Sequence, residues 1–168
     1  ITHTYCRSHI DPALTELGDR PITVHYLEVP GDRTHPHVQL NSWQYYVRWQ
    51  WHARRTVRQL LRSQQVDLIH HLTWGTLRFP SFLGGLGVPF AMGPLGGGEV
   101  APLRLFRDLP WKLQLFDALR SLSLAAVRWD PLATWATRRA QIVLCKSPES
   151  RAALPQRVQD KAVVSGEI

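Results

Sequence analysis

The sequence predicts an α/β fold built on a mainly parallel sheet. Short apolar or β-branched runs alternate with helical patterns along the chain, which is the arrangement of a parallel sheet covered on both faces. The chain has 168 residues, of which 44% are hydrophobic, enough for one domain that buries roughly 70% of its unfolded surface. Two cysteines, Cys6 and Cys145, are too few for a disulfide framework and form no CxxC pair.

The elements run in order from the first residue. Ile1 to Cys6 alternates polar with apolar or β-branched residues and reads as a strand. Asp11 to Leu17 is helical or irregular, with Asp11 as cap, Pro12 at the first helical position and Gly18 as stop. Pro21 to Val29 reads as a second strand, with Ile22, Val24 and Tyr26 on one face, and a polar, turn-rich loop runs from Pro30 to His37. Asn41 to Gln64 is the clearest amphipathic helix. Its Tyr46, Trp49, Ala53, Val57 and Leu60 recur at spacings of three or four, while Arg48, His52, Arg55 and Arg62 form a basic stripe.

Val66 to Leu72 is a short strand, and a helix is expected to start near Phe79-Pro80 and stop at Gly84, Gly85 and Gly87. Val88 to Gly93 is another strand, followed by the loop Pro94 to Glu99. Trp111 to Arg128 carries Leu115, Leu119, Leu122 and Ala126 at helical spacing, and Asp130-Pro131 caps and starts a helix to Arg139. Gln141 to Cys145 is a strand, Ser147-Pro148 opens a brief helix, and Lys161 to Val164 is the last strand. Ile69, Phe90, Val143 and Val163 are the expected buried strand residues.

Twenty Lys and Arg against 13 Asp and Glu give a net charge of +7. The aromatics of the 41–64 helix lie apart from its arginines, and no RRM, KH or zinc-finger pattern occurs, so no nucleic-acid partner is expected. Anionic lipid or phosphate is the better use of that charge, and the basic residues of the helix with Arg138 and Arg139 point to an anionic membrane surface. No run is long and apolar enough to span a bilayer and no secretory signal opens the chain, which points to the cytoplasm with attachment at the inner membrane surface. Both ends read as cut.

In parallel sheets ligands sit beyond the carboxyl ends of strands, so His70, His71 and the loop Gly96-Gly97-Gly98-Glu99 are the chemical candidates. Adjacent strand residues face opposite ways, so one histidine at most faces a given cleft and the other packs. For the glycine loop two readings stand. Its backbone amides approach an anion or a sugar, with Glu99 accepting hydroxyl bonds or acting as a base, or it is a sharp turn with Glu99 solvated. It matches neither a Walker loop nor GxGxxG. Ser147 and Ser150 lie in CKSPES, which is no GxSxG elbow, and Cys145 reads as a buried small hydrophobe. His35-x-His37 lacks the further ligands a zinc site needs, so no metal and no cofactor are expected.

The segment DLIHHLTWGTLRFPSFLGGLGVPFAMGPLGGGEVAP, Asp67 to Pro102, strongly resembles the amino-terminal domain of bacterial family 4 glycosyltransferases, the retaining GT-B group with two Rossmann-like domains. The flanks ITHTYCRSHI, ITVHYLEVP, YYVRWQWHARR and RRAQIVLCKSPES are compatible with it. The resemblance implies a Rossmann-like three-layer domain on the acceptor side of the enzyme. It implies a nucleotide-sugar donor held by a carboxyl-terminal domain and a saccharide or lipid-linked acceptor. His70-His71 match the place where a family histidine approaches the transferred sugar, and Gly96 to Glu99 match a loop lining the interdomain cleft. The family's first strand and its glycine-containing loop precede the segment matching Ile1, and the paired acidic motif and diphosphate-binding residues belong to the second domain. A fragment lacking its first strand and inactive alone is therefore expected; the competing class is a non-catalytic α/β binding or structural domain.

Overall fold

The computed structural model describes residues 1–29, 43–72, 74–99 and 110–165. The fold is α/β, and its main sheet is parallel throughout. The described residues form two compact units, 1–64 and 65–168, with a two-stranded and a four-stranded sheet. The turn-rich loop at 30–37, with His35 and His37, lies outside the described residues.

In the first unit, β1 (Thr2–His3) pairs in parallel with β2 (Tyr26–Leu27). The first predicted strand ends early because the chain tightens into a 3-10 turn at Thr4–Cys6, which His3 caps by accepting the Tyr5 N–H on Nδ1 at 2.9 Å. That acceptor role leaves the neutral ring's proton on Nε2, from which it donates to the Tyr45 hydroxyl. A two-residue partner can pair only a two-residue strand, so the ladder expected over Pro21 to Val29 contracts to Tyr26–Leu27, and Ile22 is exposed.

Helix α1 spans Arg7–Leu17, starting earlier than expected. Asp11 is therefore not its cap, and Pro12 lies inside the helix; the Asp11 carboxylate instead accepts the Tyr26 hydroxyl. Gly18 closes it at φ +67°, as expected. Helix α2, Trp43–Ser63, buries Tyr46, Ala53 and Val57 and leaves Arg48, Arg55 and Arg62 on its more open faces. Gln50, a polar residue on the buried side, satisfies part of its amide by donating to the Tyr46 hydroxyl at 3.1 Å.

In the second unit, β3 (Ile69–His71), β4 (Phe90–Leu95), β5 (Ile142–Cys145) and β6 (Ala162–Val164) pair in that order. The registers align His71 with Met92, Met92 with Val143, and Val143 with Ala162. Phe90, Ala91, Met92 and Leu95 are all buried, the unbroken apolar run of a central parallel strand. Val143 and Cys145 are buried beside them, and β6 lies at the end of the sheet. There Val163 is in a strand as expected but is 49% exposed, because it has a strand neighbour on one side only and points away from the buried Ala162 face.

The helix expected after Phe79-Pro80 does not form; residues 74–89 are irregular. Gly85 and Gly87 take φ +73° and +86°, and each glycine costs a helix about 1 kcal/mol relative to alanine. The segment is held instead by side chains: Phe82 meets Trp135 edge-on at 6.4 Å, Trp74 meets Phe79 at 5.2 Å, and Leu77, Pro80 and Ser81 are buried.

Helix α3 (Trp111–Ala126) passes through a 3-10 turn, Val127–Trp129, into α4 (Pro131–Arg139). The Asp130 carboxylate caps α4 by accepting the Leu132 and Ala133 N–H groups at 2.8 and 3.3 Å. At its other end Lys161 donates to the Arg138 and Ala140 carbonyls, a cation where the helix dipole favours one. Short helices α5 (Pro148–Ala152) and α6 (Gln156–Gln159) contact β6 and each other.

Truncation of Phe90, which is 1% exposed, to alanine should cost about 3–5 kcal/mol in urea denaturation. Val163→Ala should change stability by less than about 0.5 kcal/mol. Equal losses at the two positions would contradict the burial difference between centre and edge.

Candidate functional site

The carboxyl rim of the four-stranded sheet gathers the ends of β3, β4 and β5. At the end of β3 the pattern is buried, exposed, buried over Ile69, His70 and His71, as strand alternation requires. His70 is the outward member. Its Nε2 lies 3.0 Å from the Gly93 carbonyl oxygen; a carbonyl only accepts, so Nε2 carries the proton and, in the neutral ring, Nδ1 presents a lone pair.

His71 is buried, at 6% exposure. Desolvation, and secondarily the charge of His70, hold its pKa down at about 4. It is therefore neutral at neutral pH.

The end of β4 departs from a regular strand. The register shifts between Met92 and Leu95, the Gly93-Pro94 bond is cis, and the strand reaches two residues further than the sequence reading. Gly96 then bridges in parallel to Thr76. The Gly96 N–H donates to the Gly75 carbonyl at 2.6 Å, and the Gly96 carbonyl accepts from Leu77 at 3.1 Å.

The other two glycine amides are engaged as well. Gly97 N–H donates to the Glu99 carboxylate at 2.9 Å, and Gly98 N–H to the Ser150 hydroxyl at 3.3 Å. The glycines thus serve close approach. A Cβ on Gly98 would lie 2.5 Å from Ser150 Cα and 2.6 Å from the Glu149 carbonyl, and Gly97 has φ +95°.

Glu99 is the hub. One carboxylate oxygen accepts the Ser147 hydroxyl at 2.6 Å and the Ser150 hydroxyl at 2.9 Å, while the other accepts Gly97 N–H. The Ser147 hydroxyl first, then the backbone N–H of Glu99 itself, with Ser150 and Gly97 adding, hold its pKa at about 2. A carboxylate so stabilised is a poor proton acceptor near neutral pH. Ser147 also caps α5 by accepting Ser150 N–H at 3.1 Å, so CKSPES ties the glycine loop to the end of β5.

The sequence marks Ser147 as the opening of a helix and gives neither serine a chemical role, since CKSPES is no GxSxG elbow. Their link to Glu99, 48 and 51 residues away, has no local signature. Cys145 is fully buried, and desolvation raises its thiol pKa to about 11, against a nucleophilic role. Among the described residues no group of three His, Cys, Asp or Glu is placed to hold a metal ion, and no helix is long and apolar enough to cross a membrane.

The chain matches no protein-family model, no curated protein and no solved structure.

Two consequences can be measured. Unfolding frees His71 to take a proton at its ordinary 6.5, whereas the folded state resists protonation until about pH 4. Stability should therefore fall as pH drops from 6.5 to about 4, and His71→Gln should flatten that part of a urea-midpoint profile. Glu99 has the depressed-carboxylate sign: its contribution is present above its ordinary 4.5 and lost as pH falls toward 2. Glu99→Gln should remove that acid limb and speed amide exchange at Gly97 and Gly98; unchanged exchange would mean that the carboxylate does not hold the loop.

Proposed function

We propose that this chain is the acceptor-side α/β part of a retaining glycosyltransferase, moving a sugar from a nucleotide-sugar donor to a saccharide or lipid-linked acceptor. The observation that carries the reading is His70: an exposed imidazole at the carboxyl end of a parallel strand, fixed by the Gly93 carbonyl beside a glycine loop. The resemblance of the segment 67–102 to family 4 glycosyltransferases supplies the reaction class.

In this reading the His70 Nδ1 lone pair accepts a hydroxyl of the transferred sugar and orients it. His71 fixes the strand from the buried side without touching substrate. Gly75, Glu99 and Ser150 hold Gly96, Gly97 and Gly98 as a rigid wall of the acceptor cleft; with its amides already donating within the protein, the loop offers a side-chain-free surface. The diphosphate that leaves needs cationic or dipolar stabilisation. No Walker lysine or paired acidic motif occurs in the sequence, so a second domain of the parent protein supplies those groups and the isolated chain transfers no sugar. The site works in the cytoplasm, against an anionic inner membrane surface.

The internal engagement of Glu99 and of all three loop amides favours a second reading, a non-catalytic α/β binding domain.

The test is sugar transfer by the full parent protein, followed by mass spectrometry with a panel of nucleotide sugars and of saccharide and lipid acceptors. His70→Ala should lower kcat by about 100-fold, while His71→Gln should act mainly on stability. Absence of transfer with every donor, or wild-type rates in His70→Ala, would favour the binding domain.

A further inference from the structure

Among the described side chains of α3, six large apolar ones stand in solvent, Leu113 and Phe116 with the four of one stripe. Trp111, Leu115, Leu119 and Leu122 are 68, 52, 57 and 67% exposed, and at 100° per residue they fall within an arc of about 80°. A contiguous apolar stripe on a protein surface marks an interaction face.

Cations stand at both ends of this stripe. From Trp111 to Arg139 the sequence has five Lys and Arg (Lys112, Arg120, Arg128, Arg138, Arg139) against Asp117 and Asp130, and Asp130 is engaged as the α4 cap. Past the end of α3, an open groove of about 520 Å³ is lined by Arg128, Trp129, Trp135, Arg138 and Arg139, with no carboxylate among its lining residues. Arg128 lies over the Trp129 ring at 5.3 Å and Arg139 over Trp135 at 4.9 Å. At the start of α3, Lys112 lies over Trp111 at 5.9 Å. Indoles paired with cations at both ends of an apolar helical stripe suit the boundary between lipid headgroups and acyl chains.

We propose that α3 and the adjoining Trp129–Arg139 groove dock on an anionic phospholipid bilayer. The stripe enters the headgroup boundary, and the arginines take lipid phosphates. A second copy of the chain would cover the stripe but bring like-charged arginines together, and a free phosphate would use the arginines and leave the stripe in water. Helix α2, where the sequence places the membrane contact together with Arg138 and Arg139, has Tyr46, Ala53 and Val57 buried and exposes Trp43 and Trp51, two large apolar side chains against the four of the α3 stripe. The inference rests only on the membrane part of the proposed function; lipid binding is read without sugar transfer, so either can fail alone.

The full chain is sedimented with vesicles of phosphatidylcholine alone and of phosphatidylcholine with phosphatidylglycerol. Binding is expected only to the second, weakening as salt rises. Arg138→Ala with Arg139→Ala should lower the partition coefficient by about 30-fold. Leu115→Gln with Leu119→Gln should abolish binding with unchanged circular dichroism, while Arg55→Ala with Arg58→Ala in α2 should change it less than about threefold. Any one of four results would overturn the proposal: no binding to anionic vesicles, loss of binding in the α2 variant, a thermal shift with inorganic phosphate that persists without vesicle binding, or self-association in light scattering that the α3 variant removes.

Discussion

Gly93 lies so close to β5 that a Cβ there would sit 2.3 Å from the Leu144 carbonyl oxygen, and its φ is +123°. Only glycine tolerates that combination. The approach of β4 to β5 at this point governs the next stretch of chain: the register shift before Leu95, the Lys146 N–H bond to the Leu95 carbonyl at 2.8 Å, and the delivery of Gly96 to Gly98 toward the start of α5. It also turns the Gly93 carbonyl to where His70 can donate to it. A larger residue would separate the two central strands and, with them, both halves of the candidate site.

The polar groups of the rim leave few hydrogen-bonding demands unmet. Glycine-rich loops expose backbone amides, and amides without partners are unfavourable once water is excluded. Here Gly75, Glu99 and Ser150 accept the three loop N–H groups. The negative charge that helps hold them is itself stabilised by two hydroxyls. A loop that reads as flexible from composition is thereby fixed by a charge-assisted network joining β4 to β5 through α5. The two histidines show how position divides chemistry between like residues. One residue apart on a strand, His71 loses its proton affinity to burial while His70 keeps an exposed ring.

The second unit also differs in how it treats apolar surface. The centre of its sheet is sealed, whereas β6 and α3 leave large apolar side chains in solvent. At β6 this is the ordinary consequence of a strand with one neighbour. Along α3 Trp111, Leu115, Leu119 and Leu122 share one face, with Leu113 and Phe116 exposed beyond it and cations at the two ends of the stripe, a pattern the end of a sheet does not explain.

Elements whose signals are local were legible in the order of residues alone. Strand cores at Ile69, Phe90 and Val143, the 43–63 helix, the Asp130 and Ser147 caps and the Gly18 stop depend on periodicity or on hydrogen bonds spanning a few residues. Periodicity also limited the histidines to one per face, because alternation is a property of the strand. Long-range packing chose among the remaining possibilities. Which histidine faces out depends on what covers the sheet, and whether 79–84 forms a helix depends on competition between weak local propensity and packing against Trp135 and Arg139. Glu99 could be read as base, ligand or solvated charge until Ser147 and Ser150 came beside it. Hydrogen-bond partners some fifty residues apart are chosen by the register of two strands, and register is set by packing across the whole sheet.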